Sequence, residues 1–83
     1  MDDEIKKAVA LRYQKTEDNA PTVVAKGKGY LAKKIEEIAK ENDIYIHKDP
    51  NLADSLYKLK ISEEIPEELY EAVAKILAFV YSL

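Results

Sequence analysis

The strongest hint of chemistry in this chain is a run of six residues. Gly27-Lys28-Gly29-Tyr30-Leu31-Ala32 fits the pattern G-x-G-x-x-G/A. In that pattern the backbone N–H groups opening a helix face a pyrophosphate, and an acidic residue about twenty positions on takes a ribose hydroxyl. Asp49 lies at about that separation, beyond the next expected strand. Yet the chain holds one such unit only, so the second half of a dinucleotide crevice is missing. Two glycines also serve a plain tight turn from strand to helix. A small anion- or nucleotide-binding role for residues 26–29 stands as the alternative reading of this sequence.

The remaining reactive residue types form no constellation. His47 is the single histidine and there is no cysteine, so neither a histidine-rich nor a thiolate metal site can be assembled. Ser55, Ser62 and Ser82 lack the surroundings of a nucleophile elbow. Glu63, Glu64, Glu67 and Glu68 flank Pro66, where carboxylates favour the start of a helix without any acid–base role. No catalytic residue, metal or cofactor is expected.

The elements that would carry these residues follow from periodicity. Val9, Leu11 and Tyr13 alternate with Ala8, Ala10 and Arg12, giving a strand with one bulky face and one small or polar face. The polar stretch from Gln14 to Pro21 reads as an exposed loop, and Thr22-Val23-Val24-Ala25 as a second strand. Leu31, Ile35, Ile38 and Ala39 recur at helical spacing after the glycine turn. Ile44-Tyr45-Ile46-His47 alternates again and reads as a third strand, which predicts a parallel pair joined by a right-handed crossover. Asp49-Pro50 has the form of a helix cap followed by proline in the first turn, ahead of Leu52, Ala53, Leu56 and Tyr57. Ser62 to Ile65 is a connector. Pro66 opens a long last helix with the stripe Leu69, Val73, Ile76, Leu77 and Val80. The expected fold is α/β: a small mixed β-sheet of three to four short strands surrounded by helices. It contains one strand–helix–strand unit within a single domain over 1–83, with residues 1–7 as a flexible lead-in.

Composition narrows the function classes. The 83 residues are 47% hydrophobic and 35% charged with a net charge of −3, which suits a thin-cored globular domain and offers no basic field for nucleic acid. Met1-Asp2-Asp3-Glu4 is acidic where a secretory signal is basic. No apolar run reaches the ~20 residues that cross a bilayer. The expectation is a cytoplasmic monomer without direct membrane insertion.

Several stretches, in order, resemble one family. They are Ala8-Val9-Ala10-Leu11-Arg12-Tyr13, Ala20-Pro21-Thr22-Val23-Val24-Ala25-Lys26-Gly27-Lys28-Gly29, Ile38-Ala39-Lys40-Glu41-Asn42 and Glu64-Ile65-Pro66-Glu67-Glu68-Leu69-Tyr70-Glu71-Ala72-Val73-Ala74. Together they are similar to the cytoplasmic C-terminal domain of the FlhB/EscU/YscU type III export switch family, from about Ala8 to Leu83. The resemblance implies a non-enzymatic protein-interaction module in flagellar or other type III export, acting at the inner-membrane export gate on gate components and export substrates. The family carries Asn-Pro-Thr-His just before the first strand and cleaves itself between Asn and Pro. Asp3, Glu4, Ile5 and Lys6 stand at those places here, so the resemblance implies a homologue that does not autocleave. With no membrane segment ahead of it, the chain is expected to be a free-standing counterpart of the cleaved piece. A small apolar patch that recognises substrates in the family maps onto Ala20, Pro21, Ala74 and Leu77.

Overall fold

The computed structural model describes residues 5–13 and 20–81, apart from the side chains of residues 78–81. Strand β1 spans Lys7–Arg12 and pairs antiparallel with β2, Thr22–Lys28. Helix α1 (Tyr30–Glu41) and helix α2 (Pro50–Tyr57) follow, and a 3-10 turn over Glu67–Leu69 leads into α3, Tyr70–Tyr81. The mixed α/β class holds. Residues 1–4 of the expected flexible lead-in lie outside the described residues, and Lys6 and Lys7 do not belong to one, because Lys6 accepts a bond from Gly29 and Lys7 already belongs to the ladder.

The two faces of the sheet are built differently. Adjacent strand residues point to opposite faces, and on β2 the division is explicit. A Cβ placed on Gly27 would lie 2.7 Å from the Leu31 Cβ, so Gly27 faces α1. Lys26, its neighbour, sends its Nζ the other way and donates to the carbonyls of Tyr57 and Leu59 at the end of α2. Ala8 pairs with Gly27 and Ala10 with Ala25, so the α1 side is a surface of small residues. Val9 and Leu11 point to the opposite side and pack against Ala20, Leu56, Ile65 and Val73, the buried core cluster.

The two glycines of the turn serve separate needs. Gly27 is required for space. Gly29 has φ 60° and ψ −123°, a conformation that a side chain disfavours, although a Cβ there would meet nothing closer than 3.8 Å. One extra residue also enters the ladder on β2. Ala10 faces Ala25 but Leu11 faces Val23, leaving Val24 unopposed and 47% exposed as a β-bulge.

Three expectations change. Ile44–His47 is not a strand, and the parallel crossover does not form. Alternation records a half-buried surface, not a hydrogen-bonding partner, and Ile44 and Tyr45 are 59% and 41% exposed. The second edge of β2 is taken instead by the expected connector. Val23 donates to Glu63, Ser62 to Val23 and Ile65 to Pro21, with Thr22 and Glu64 forming an antiparallel bridge. Finally, α1 is rotated from its expected stripe. Ala32 is fully buried with Ile35 and Ala39 beside it, while Leu31 and Ile38 are exposed. A two-stranded floor is too narrow to cover the whole apolar stripe, and the smallest residue allows the closest approach.

Both helix connections are locally determined. Asp43, at φ 56°, ends α1: Ile44 donates to the Ala39 carbonyl and Asp43 to that of Lys40, the paired bonds of a Schellman motif. Asp49 caps α2 as its sequence implies, its Oδ1 accepting from the Leu52 N–H at 3.1 Å with Pro50 in the first turn.

Candidate docking site

The four residues expected to form an apolar patch are brought to one part of the fold, but not all to its surface. Ala20 is 2% exposed and belongs to the core cluster with Leu56, Ile65 and Val73. Pro21 is buried too, and its carbonyl accepts from the Ile65 N–H at 2.9 Å. The exposed-loop reading therefore fails at its last two residues, because strip 62–65 lies along them and closes them in. Residues 14–19 of that loop lie outside the described residues. Leu77 is half-buried and packs against the same cluster as Ala20, and Ala74 is exposed on α3. The accessible part of the patch is thus Ala74 with the outer flank of Leu77, on a floor that Ala20 and Pro21 help to form.

Helical geometry explains the division. Leu69, Val73 and Leu77 recur at i, i+4, i+8 and turn towards the cluster. Val73 is 2% exposed. Ala74, one step round from Val73, necessarily faces away.

The other flank of α3 borders an open groove of about 480 Å³ lined by Tyr45, His47, Asp49, Leu52, Ala72, Lys75 and Ile76. Sequence reasoning missed it, because its outer wall is the segment expected to be a strand. Its polar rim is weakly organised: His47 Nε2 lies 3.9 Å from Asp49 Oδ2, and Lys75 pairs with Glu71 at 3.4 Å on the exposed side of α3. Among the described residues no group of histidine, aspartate and glutamate could hold a metal ion.

The glycine turn does not gather the groups a phosphate would need. Lys26 Nζ sits 3.0 Å from the Tyr57 carbonyl, 2.8 Å from that of Leu59 and 4.8 Å from the Tyr57 ring centre. It points to the sheet face opposite α1. The Gly29 N–H is occupied by the Lys6 carbonyl at 2.7 Å. Lys26 and the Gly29 N–H are thus both spent inside the fold, while Lys28, within the turn, is exposed. Among the described residues no helix is long and apolar enough to cross a membrane.

Comparison with known proteins agrees with this architecture. The model of the FlhB HrpN YscU SpaS family matches residues 5–80. YlqH of Bacillus subtilis is 44% identical over 79 residues, covering 95% of this chain and 85% of that protein. The flagellar biosynthetic protein FlhB of Aquifex aeolicus is 47% identical over 74 residues, covering 88% of this chain but only 21% of its own length. The crystal structure of the cytoplasmic domain of FlhB from Shewanella putrefaciens superposes with a TM-score of 0.87 at 44% identity, covering 93% of this chain and 65% of that one. A variant of the EscU C-terminal domain superposes with the same TM-score at 31% identity, covering 92% and 93%.

Proposed function

We propose, because the chain belongs to the FlhB HrpN YscU SpaS family, that it is a non-enzymatic protein-interaction module. It stands in for, or supplements, the cytoplasmic domain of the export switch protein in substrate recognition. That the domain is of the type III and flagellar export kind follows from the family itself. The module reading goes further, to binding of export substrates and apparatus components, docking at the inner-membrane gate, and work as a monomer.

The observation that carries this reading is a pair of coverages. The chain matches a short protein over 85% of that protein's length and FlhB of Aquifex aeolicus over 21% of its length. The same fold therefore occurs both as most of a small protein and as one part of a large one. In this reading the short form keeps the surfaces by which the longer protein's cytoplasmic part meets its partners. The contact surface in this reading is Ala74 with the flank of Leu77, and Ala20 and Pro21 set its depth. An exposed apolar spot on a formed helix is the kind of surface a partner covers.

The module does not cleave itself. An asparagine side chain followed by proline is needed for that chemistry in the resembling family, and Asp3 and Glu4 occupy the corresponding places. Those two residues lie outside the described residues. Intact mass after prolonged incubation should be that of the unbroken 83-residue chain.

Complementation tests the function. The chain is expressed in cells whose export switch protein is truncated before its cleavage site, and secreted early flagellar subunits are measured. Partial restoration is expected, and Ala74→Asp, at an exposed position of α3, should reduce it without unfolding the domain. Failure to restore export, together with failure to bind solubilised export-gate proteins, overturns the reading.

A further inference from the structure

We infer that the exposed flank of α1, together with the bulge at Val24 beside it, is a docking face for an amphipathic helix of another protein. The proposal goes beyond the export reading and does not depend on it.

The flank is defined by what the sheet leaves uncovered. Ala32 is fully buried, with Ile35 and Ala39 half-buried beside it, while Glu36 leans towards β1 and pairs with Lys6 at 2.7 Å. At about 100° per residue, Leu31 and Ile38 fall on the other side of Ile35 from Glu36. They therefore overhang the second edge of β2, and they are 59% and 55% exposed.

At that edge the fold displays two more apolar side chains. The N–H of Ser62 donates to the Val23 carbonyl at 2.7 Å, which sets Ile61 beside Val24. Val24 is the unopposed bulge residue, 47% exposed, and Ile61 is 52% exposed. Ser62 holds φ 77°, a conformation that a side chain disfavours, in the turn that carries Ile61. Four large aliphatic side chains along one edge give an apolar surface on the order of a few hundred Å², the size at which patches on soluble monomers mark interaction sites.

Spacing and charge select the occupant. Leu31 and Ile38 stand two turns apart, about 10 Å along the axis. Side chains on one face of an extended chain recur every ~7 Å and miss that step, whereas a second helix presents apolar residues seven positions apart at the same interval. Lys34 lies between the two apolar residues, and Glu41 follows on the same flank. Both are exposed, and neither has an ion-pair partner among the described residues. Their order, cation before acid, is the reverse of what the helix dipole favours. A guest helix with the ordinary order, acids early and bases late, complements it when it lies parallel to α1. A second copy is a poorer match, because its own Ala32, Ile35 and Ala39 lie against its own sheet and leave it only the same narrow flank to offer. A free helix presents its whole apolar stripe and reaches both α1 and the Val24–Ile61 edge.

NMR titration of the isotopically labelled whole chain with a synthetic helix tests this. The probe is a peptide of about 15 residues with a leucine stripe, glutamates in its first turn and lysines in its last. Amide signals should shift at Val24, Leu31, Lys34, Ile38, Glu41 and Ile61 while those of α3 stay fixed. No binding, or shifts centred on α3, would sink the proposal.

Two variants sharpen it. Ile38→Ser, at an exposed position, should weaken binding about tenfold at an unchanged melting temperature. Lys34→Glu combined with Glu41→Lys should bind the same peptide about fivefold more weakly and bind a charge-reversed peptide as tightly as the parent pair. Equal binding of both peptides by both proteins would mean that no charge order is read, which refutes the assigned guest. Sedimentation of the chain alone and with vesicles of mixed phosphatidylcholine and phosphatidylglycerol covers the other occupants. A dimer that Ile38→Ser abolishes would assign the face to a second copy, and vesicle binding that Ile38→Ser abolishes would assign it to a membrane; either result overturns the proposal.

Discussion

The α1 side and the α2–α3 side of the same two strands are stabilised by opposite means. On the α1 side, Ala8, Ala10, Ala25 and Gly27 let the helix approach until a single added carbon would lie 2.7 Å from Leu31. On the other side, Val9, Leu11, Leu56, Ile65 and Val73 fill space with bulk. One side is limited by what can be added, the other by what can be removed. In a domain this small each side carries much of the stability, since a thin core leaves little in reserve.

The largest effect is expected on the bulky side. Ile65→Ala, at a residue 2% exposed, should cost about 2–5 kcal/mol through lost burial and a cavity. Thermal unfolding checks it, at about 4–8 °C per kcal/mol for a domain of this size. Gly27→Ala adds one carbon to the small side and should cost about 1–3 kcal/mol. The atoms it meets include Leu31 backbone, so α1 itself must move. The amides of α1 should lose protection in Gly27→Ala while those of α3 keep theirs; uniform loss would erase the distinction between the two sides.

Smaller effects separate the helix ends on the two sides. Asp49→Ala removes the cap of α2 and should cost about 1 kcal/mol in chemical denaturation. Asp43→Gly acts in the other direction, because Asp43 holds φ 56° at the end of α1, where glycine has no steric penalty. A gain of about 0.5–1 kcal/mol is expected, seen as a higher denaturation midpoint at an unchanged slope. A loss instead would show that the Asp43 side chain holds that end together.

What could be read from the residues was whatever local chemistry decides. The alternation from Val9 to Tyr13 placed β1 and its two unlike faces, and Asp49-Pro50 placed the start of α2 to the residue. The strand misassigned to Ile44–His47 shows the limit, because alternation cannot say whether a partner edge is within reach. Ser62–Ile65 carries no strand pattern, yet it completes the sheet through contacts with Pro21 and Val23 far away in sequence. The candidate site divided in the same manner. Leu77 and Val73 were legible as one stripe, while the burial of Ala20 and Pro21 depends on that same distant strip. Leu31 and Ile38 lie exposed because, among the described residues, the floor beneath α1 has two strands, a width no helical periodicity records.

The strip at 62–65 has a consequence for synthesis. A ribosome releases β1, β2 and α1 long before it makes the residues that close β2's second side. Until they appear, the nascent chain must keep Val23 from other polypeptides with its own helices alone. A stop codon shortly after Tyr57 would preserve both strands and two helices but leave β2 without the strip that closes its second side. Such a fragment should form inclusion bodies where the whole chain accumulates as a dispersed species.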